Sequence, residues 1–187
     1  MSTRQHSSEE KLAELACEPL KSKARARVLI GGLGFGFTLK AALAALPADA
    51  TVIVAELLEA VVAWNRNPAY PLASEALADP RVTVKQSDVA EVIRSAPGSF
   101  DAVILDVDNG PAAFSAPGNG KLYQDSGLRL TRSALRPGGC AAYWSAGPNA
   151  TFEKLLGRAG FNVEVQRCRA HGQSGSWHTL FLARSQR

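Results

Sequence analysis

Cysteine, histidine and methionine are scarce in this sequence: three, three and one among 187 residues, with aromatic side chains at 7%. Cys17, Cys140 and Cys168 are odd in number, lie far apart and belong to no CxxC or Cys/His cluster. That excludes a disulfide framework or a zinc site and reads as reduced thiols of a cytoplasmic protein, with no metal expected. Long apolar runs are missing too: a stretch such as AALAAL falls far short of a membrane span. The opening MSTRQHSSEEKLAEL is polar and charged, unlike a secretory signal. Basic charge is present without being concentrated. The net charge is +4, but the arginines are spread along the chain with no Lys/Arg stripe interleaved with aromatics, so charge does not favour a nucleic-acid partner. Neither an internal repeat nor a low-complexity segment occurs.

What is present is ordinary globular material, 46% hydrophobic and 20% charged, in a length that suits one domain. Residues 1–24 read as a tail and a short helix, with 1–7 frayed and an amphipathic stretch from Ser8 to about Leu20. Residues 25–187 read as the domain. Runs such as VLI, VIV and AVIL suit strands buried on both faces of a parallel sheet. Strands are expected at 27–31, 51–55, 81–85, 101–106 and 139–144, and helices at 36–46, 57–66, 88–95, 122–135 and 149–159. Strand and helix alternate, which points to an open doubly wound α/β sheet. FNVEVQRC and HTLFLARS follow with no helix between them, joined by RAHGQSGSW, and read as a terminal hairpin. A parallel sheet ending in an antiparallel hairpin is the pattern of the class I methyltransferase type of Rossmann-like fold, with seven strands.

The segment RVLIGGLGFGFTL, residues 27–39, places Gly31, Gly32, Gly34 and Gly36 between the first strand and its helix. In open α/β sheets this turn is a ligand position, where glycine lets the backbone bend sharply and come close; a ligand-free tight turn has the same look. The spacing from Gly32 is GxGxG. The third glycine of a dinucleotide fingerprint is replaced by Phe37, which weakens a nicotinamide-dependent oxidoreductase reading, and no Gly-Lys-Ser/Thr marks a phosphate loop. GxGxG fits a loop around a nucleoside with a sulfonium tail.

Acidic residues stand at three later strand tips. Glu56, twenty residues past Gly36, can accept both ribose hydroxyls, or can be a solvated carboxylate at a helix start. Asp88 can accept the adenine amino group or cap the next helix. Asp106 ends the apolar run FDAVIL, where an unpaired carboxylate is costly without a partner or a task, and Asp108 lies two residues on. The loop 107–121, with Phe114, sits where a substrate lid would sit. Trp144 can stack on a base or a cation, or pack half-buried. Trp64 reads as core, Tyr123 as packing or pocket, and His171 and His178 as surface residues.

In order, GGLGFGFTL, VIVAEL, DPRVTVKQSDV, FDAVILDVDNGP and LYQDSGLRLTRSALRPGGCAAYWSA resemble the spermidine synthase-like (polyamine aminopropyltransferase-like) branch of the class I S-adenosylmethionine-dependent methyltransferase superfamily. The resemblance spans about residues 25–185. It implies that Gly31, Gly32, Gly34, Gly36 and Glu56 hold S-adenosylmethionine or its decarboxylated form. Asp88 would contact adenine. Asp106 would lie beside the transferred group and help deprotonate an attacking amine, with Asp108 or Asn109 at the far end of the acceptor. The expected activity is transfer of a methyl or aminopropyl group to a small-molecule acceptor such as an amine. The pattern departs from that family at Leu33, where the family's glycine loop carries an aspartate. It also departs before Arg27, where a helical pattern replaces a β-hairpin domain that covers the site. A second copy of the chain could close such a site, so a homodimer is among the expectations. Two rivals stand beside this reading. One is a methyltransferase acting on RNA or protein, for which Arg167 and Arg169 leave room; the other is a non-catalytic nucleoside-binding protein that kept the fold.

Overall fold

The apolar runs form the middle of a seven-stranded sheet in a computed structural model that describes residues 6–70, 72–107, 110, 119–172 and 174–185. The strands are β1 (Arg27–Gly31), β2 (Thr51–Glu56), β3 (Val82–Gln86), β4 (Phe100–Leu105), β5 (Leu135–Ser145), β6 (Phe161–His171) and β7 (Ser174–Ser185). The helices are α1 (Ser7–Cys17), α2 (Phe37–Ala45), α3 (Glu59–Arg66), α4 (Ser74–Leu77), α5 (Val89–Arg94), α6 (Asp125–Ala134) and α7 (Ala150–Arg158). Strand order is β3-β2-β1-β4-β5-β7-β6, with β7 antiparallel to both β5 and β6 and the remaining pairs parallel. This is the seven-stranded methyltransferase type of Rossmann-like fold. Its order reverses beside β1, so the carboxyl ends of β1 and β4 open a crevice.

Alternate residues of each central strand supply two cores. Val28, Ile30, Val52, Val54, Ala102 and Ile104 meet α1 and α2, whereas Leu29, Ile53, Val103 and Leu105 meet α5 and α6. Helix α1 buries Leu12, Ala13, Ala16 and Cys17 against the first face, where Cys140, Ala142, Leu180 and Leu182 of β5 and β7 would otherwise lack a cover. Each fully buried leucine there is worth about 1.5–3 kcal/mol of transfer free energy. Pro19 cannot donate within a helix, and the chain continues past Cys17 as a 3-10 turn at Glu18–Leu20.

Caps fix the connections. Asp88 accepts from Ala90 N at 2.8 Å to start α5, and Asn149 accepts from Phe152 N at 2.9 Å to start α7. The DPR triplet acquires a structural role. Asp79 grips the Arg81 guanidinium (2.8 and 3.0 Å), and Arg81 donates to the carbonyls of Leu43, Leu46 and Pro47 where α2 ends. At the amino edge of the sheet, buried Asp101 meets Lys23 Nζ at 2.7 Å, Arg136 at 2.8 Å and Arg27 N at 2.8 Å.

The structure corrects several expectations. Residue 6 is not frayed: the His6 ring stacks on Phe37 at 4.1 Å, and α1 begins at Ser7. Helix α4 was not anticipated. Strand β5 begins at Leu135, four residues early, because Phe100 pairs Leu135 and Ala102 pairs Cys140 while residues 136–139 bulge out. The hairpin strands run on to His171 and from Ser174, through the Gly/Ser-rich stretch expected to be loop. Backbone pairing there needs no side chain, and Gly172 and Gly175 take the positive φ values (47° and 84°) of the tight reversal. Trp64 is 54% exposed rather than core, since α3 buries only Val62 and Asn65 and Trp64 lies off that side.

Among the described residues, no helix is long and apolar enough to cross a membrane, and no three His, Cys, Asp or Glu side chains group as a metal site needs. The three cysteines are free thiols, and burial pushes Cys17 up to about 12 and Cys140 to about 11.

Candidate functional site

The glycine segment leaves β1 and runs between the tips of β2 and β4. Gly31 still belongs to β1, and a Cβ there would press into Leu105 and Val89 at 2.8 Å, so it is small for packing. Gly32 has φ 85°, and a Cβ would lie 2.7 Å from the Asp106 carbonyl oxygen. Only glycine lets the loop cross the β4 tip this closely. Gly34 also has positive φ, 51°, and Gly36, the residue before α2, has φ 77° with Ala73 packed against its Cα.

Glu56 ties the loop to β2. Its carboxylate is 8% exposed and accepts from Leu33 N at 2.8 Å and Leu58 N at 2.9 Å. It is therefore not a solvated helix-start residue. A carboxylate offers about four acceptor positions, and two remain for hydroxyl donors. Leu57 and Leu58, next to it in the chain, are 63% and 59% exposed. Asn65, 1% exposed, donates to Gly34 O at 2.8 Å and Val61 O at 2.9 Å, locking the loop to α3. An asparagine inside a helical pattern gives no advance sign of this. Leu33, the departure from the family pattern, is buried, and its backbone N–H is what Glu56 holds.

Asp106 stands across the loop from Glu56, its N–H on Gly31 O at 3.2 Å and its carboxylate accepting from Thr38 Oγ1 at 2.8 Å. Burial pushes its carboxyl up to about 6; the Thr38 hydrogen bond works against this and the charge of Glu9 adds to it. Thr38 sits in the first turn of α2 and was not singled out by its sequence context. Asp88 stands at the tip of β3 with Oδ1 engaged in capping α5. Gly31, Gly32, Gly34, Gly36, Glu56, Asp88 and Asp106 thus share one edge of the sheet. Asp108, Asn109 and Phe114 lie outside the described residues, as does most of the expected lid.

The first face of the same edge carries a cluster that the sequence reading did not join. Ser8, fully buried at the start of α1, receives Trp144 Nε1 at 3.0 Å, meets His178 Nδ1 at 2.8 Å and donates to Glu9 Oε2 at 2.5 Å. Trp144 packs edge-on to His178 at 4.6 Å. His178 is therefore not a free surface residue, although His171 is exposed. The signal was hidden because Ser8 and His178 lie 170 positions apart. Tyr123 is buried against Tyr143 and Phe152 and donates to Val107 O at 3.2 Å, which makes it a packing residue.

The residues suit a nucleoside better than a nucleotide. A carboxylate with acceptor positions to spare, close-approach glycines and two exposed leucines stand at this edge. Among the described residues the loop brings no Lys or Arg that would meet a phosphate.

No family model matches the sequence, and no curated protein is similar to it in sequence. The fold is similar to solved structures at low identity. A spermidine synthase from Thermotoga maritima superposes with TM-score 0.70 at 22% identity, over 94% of this chain and 60% of that one. A spermidine synthase in complex with the transition-state analogue AdoDATO gives 0.75 at 22%, over 94% and 59%. Human methyltransferase-like protein 13 in complex with SAH gives 0.71 at 19%, over 96% and 82%. The chain thus spans about 60% of the length of the spermidine synthases it matches.

Proposed function

We propose that this chain is a spermidine synthase-like transferase that binds S-adenosylmethionine or its decarboxylated form and passes a methyl or aminopropyl group to a small nucleophile. The observation that carries the reading is the linkage of Glu56 to the glycine loop through Leu33 N, with Asp106 on the opposite side of the same loop. Glu56 has acceptor positions left for the two ribose hydroxyls. Asp88 keeps one carboxylate oxygen outside its cap for the adenine amino group. The glycines at 32, 34 and 36 admit the nucleoside tail, and Asp106 faces the transferred carbon and orients the acceptor. The bound sulfonium supplies the leaving group. The neighbours in complex with AdoDATO and SAH support a cofactor of this class.

A macromolecular acceptor finds less support. Trp177 on the hairpin is exposed beside Arg167 and Arg169, but both guanidinium groups already sit on its ring, at 5.0 and 4.2 Å. The deciding experiment is calorimetric titration with S-adenosylmethionine, decarboxylated S-adenosylmethionine, methylthioadenosine and NAD. The wild type should bind a sulfonium nucleoside and ignore NAD, and Glu56→Ala should lose that binding. Absence of binding to all four would reduce the glycine segment to a structural turn.

A further inference from the structure

Helix α1, β5 and β7 bring Ser8, Glu9, Trp144 and His178 together, and the charge of Glu9 reaches Asp106, which follows β4 and is held by Thr38 of α2. The His6–Phe37 stack joins the starts of α1 and α2. Hydrogen-bond accounting at Ser8 fixes the imidazole. A hydroxyl has one donor and two acceptor positions. The Trp144 indole only donates, so it occupies one acceptor position. Ionised Glu9 only accepts, so it takes the hydroxyl proton. The remaining contact, with His178 Nδ1, must then be an Nδ1–H donating to Ser8 Oγ. Nε2 is left with its lone pair, and no hydrogen bond to it occurs among the described residues. Burial lowers the affinity of His178 for a second proton, against the pull of Glu9, so the ring is neutral near pH 7. Its partner across the β6–β7 ladder is Cys168, a thiol that feels both Glu9 and Lys11 of α1.

Neither Glu9 nor Asp106 has a Lys or Arg partner among the described residues, and the charge of Glu9 adds to the cost of ionising Asp106. A cation between them would relieve that cost.

We propose that His178, held through Ser8 and Glu9, is the proton acceptor for the incoming nucleophile, and that this nucleophile is a small cationic amine seated between Glu9 and Asp106. The inference rests on the transferase reading above. The ammonium gives one proton to His178 Nε2, and the freed nitrogen pair forms the bond to the carbon on the sulfonium. The carbon–sulfur pair stays on sulfur, which leaves as a neutral thioether. The imidazolium is stabilised by Glu9 through Ser8 and returns its proton to water. Glu9 and Ser8 act as positioning residues in the proton transfer; His178 touches the acceptor.

The test is nitrogen NMR of the full chain labelled at its three histidines, free and saturated with methylthioadenosine, with putrescine and methylamine as acceptor probes. At pH 7.5 His178 should be the neutral Nδ1–H tautomer, and Ser8→Ala should release it to the mixed tautomers of a free imidazole. Either amine should shift the His178 Nε2 signal, and Glu9→Gln should weaken that amine about tenfold while methylthioadenosine affinity stays unchanged. An Nε2–H or protonated His178, or an unmoved Nε2 signal with both amines in the nucleoside-saturated protein, overturns the proposal. Failure of methylthioadenosine itself to bind sinks the transferase reading and, with it, the acceptor role. The tautomer still reports on the Ser8 chain, so the two failures are distinguishable.

Discussion

Replacing Asp106 by asparagine should make the protein more stable, and more so the higher the pH. Burial holds the Asp106 carboxyl at about 6 against an ordinary 3.8. The folded state therefore favours the neutral acid. The sign follows from linkage: the group's favourable contribution is complete below 3.8 and is lost as pH rises through about 6. Above that, keeping the ionised carboxylate in the fold costs about 3 kcal/mol. Asparagine has the same shape, still accepts from Thr38 Oγ1 and never ionises. At pH 8 Asp106→Asn should gain up to about 3 kcal/mol, a ceiling because the residue is only partly shielded from solvent. The gain should fall to about 1.5 kcal/mol at pH 5 and about 0.5 at pH 4. For a chain of this size each kcal/mol moves Tm by about 2–4 °C, so the pH 8 difference reaches about 6–12 °C. Urea unfolding of both proteins across pH 4–8 measures it. Equal stability at pH 8, or a gap that does not change with pH, would refute the reasoning. A gain of this kind would mark Asp106 as a residue kept at a cost to the fold, as functional groups often are.

Further predictions concern parts of the structure that do different work. Arg81→Ala should lose about 2 kcal/mol of stability, since a charged donor leaves three carbonyls at and just past the end of α2, while nucleoside affinity measured by calorimetry stays within about twofold. Asp101→Ala should cost about 2 kcal/mol in urea melts, less than the 3–5 of a sealed pair because Lys23 and Arg136 reach water. Gly36→Ala meets both a left-handed φ of 77° and the Ala73 side chain. It should cost more than the roughly 1 kcal/mol of αL strain alone and should also lower nucleoside affinity by displacing the loop.

The alternation of strand and helix was legible because each apolar run is short, β-branched and followed at once by a helix. A run buried on both faces leaves little alternative to a parallel sheet. Gly32, Glu56 and Asp106 were legible for a related reason: glycines at a strand end and carboxylates at strand tips are local patterns. Asp88 supported two readings in sequence, and the structure supplies the cap. What stayed hidden was non-local. Thr38 matters through a hydrogen bond to a residue 68 positions away, and Asn65 through one to a backbone 31 positions back. His178 and Ser8 have no sequence context in common. Trp64 was misjudged because a tryptophan on a helix reads as core, although the side on which it falls depends on where α3 meets the sheet. The hairpin strands were drawn too short because Gly and Ser suggest loops, whereas an edge pair is held by its backbone.

The docking of α1 on β5 and β7 has a consequence for synthesis. The helix precedes every strand of the sheet, whereas β5 and β7 follow β1 to β4, and Ser8 waits for His178 across 170 positions. While β1 to β4 can pair as they emerge, the apolar stripe of Leu12, Ala13 and Ala16 has only part of its seat, on α2 and β4, until β5 and the hairpin exist. The nascent chain therefore carries a partly uncovered amphipathic segment while the intervening strands are made, a window in which a holdase would find it. The crevice at the tips of β1 and β4 can assemble early. The edge bearing Glu9 and His178 closes only with the last strand, so an incomplete chain could hold a nucleoside without presenting the groups on the other side.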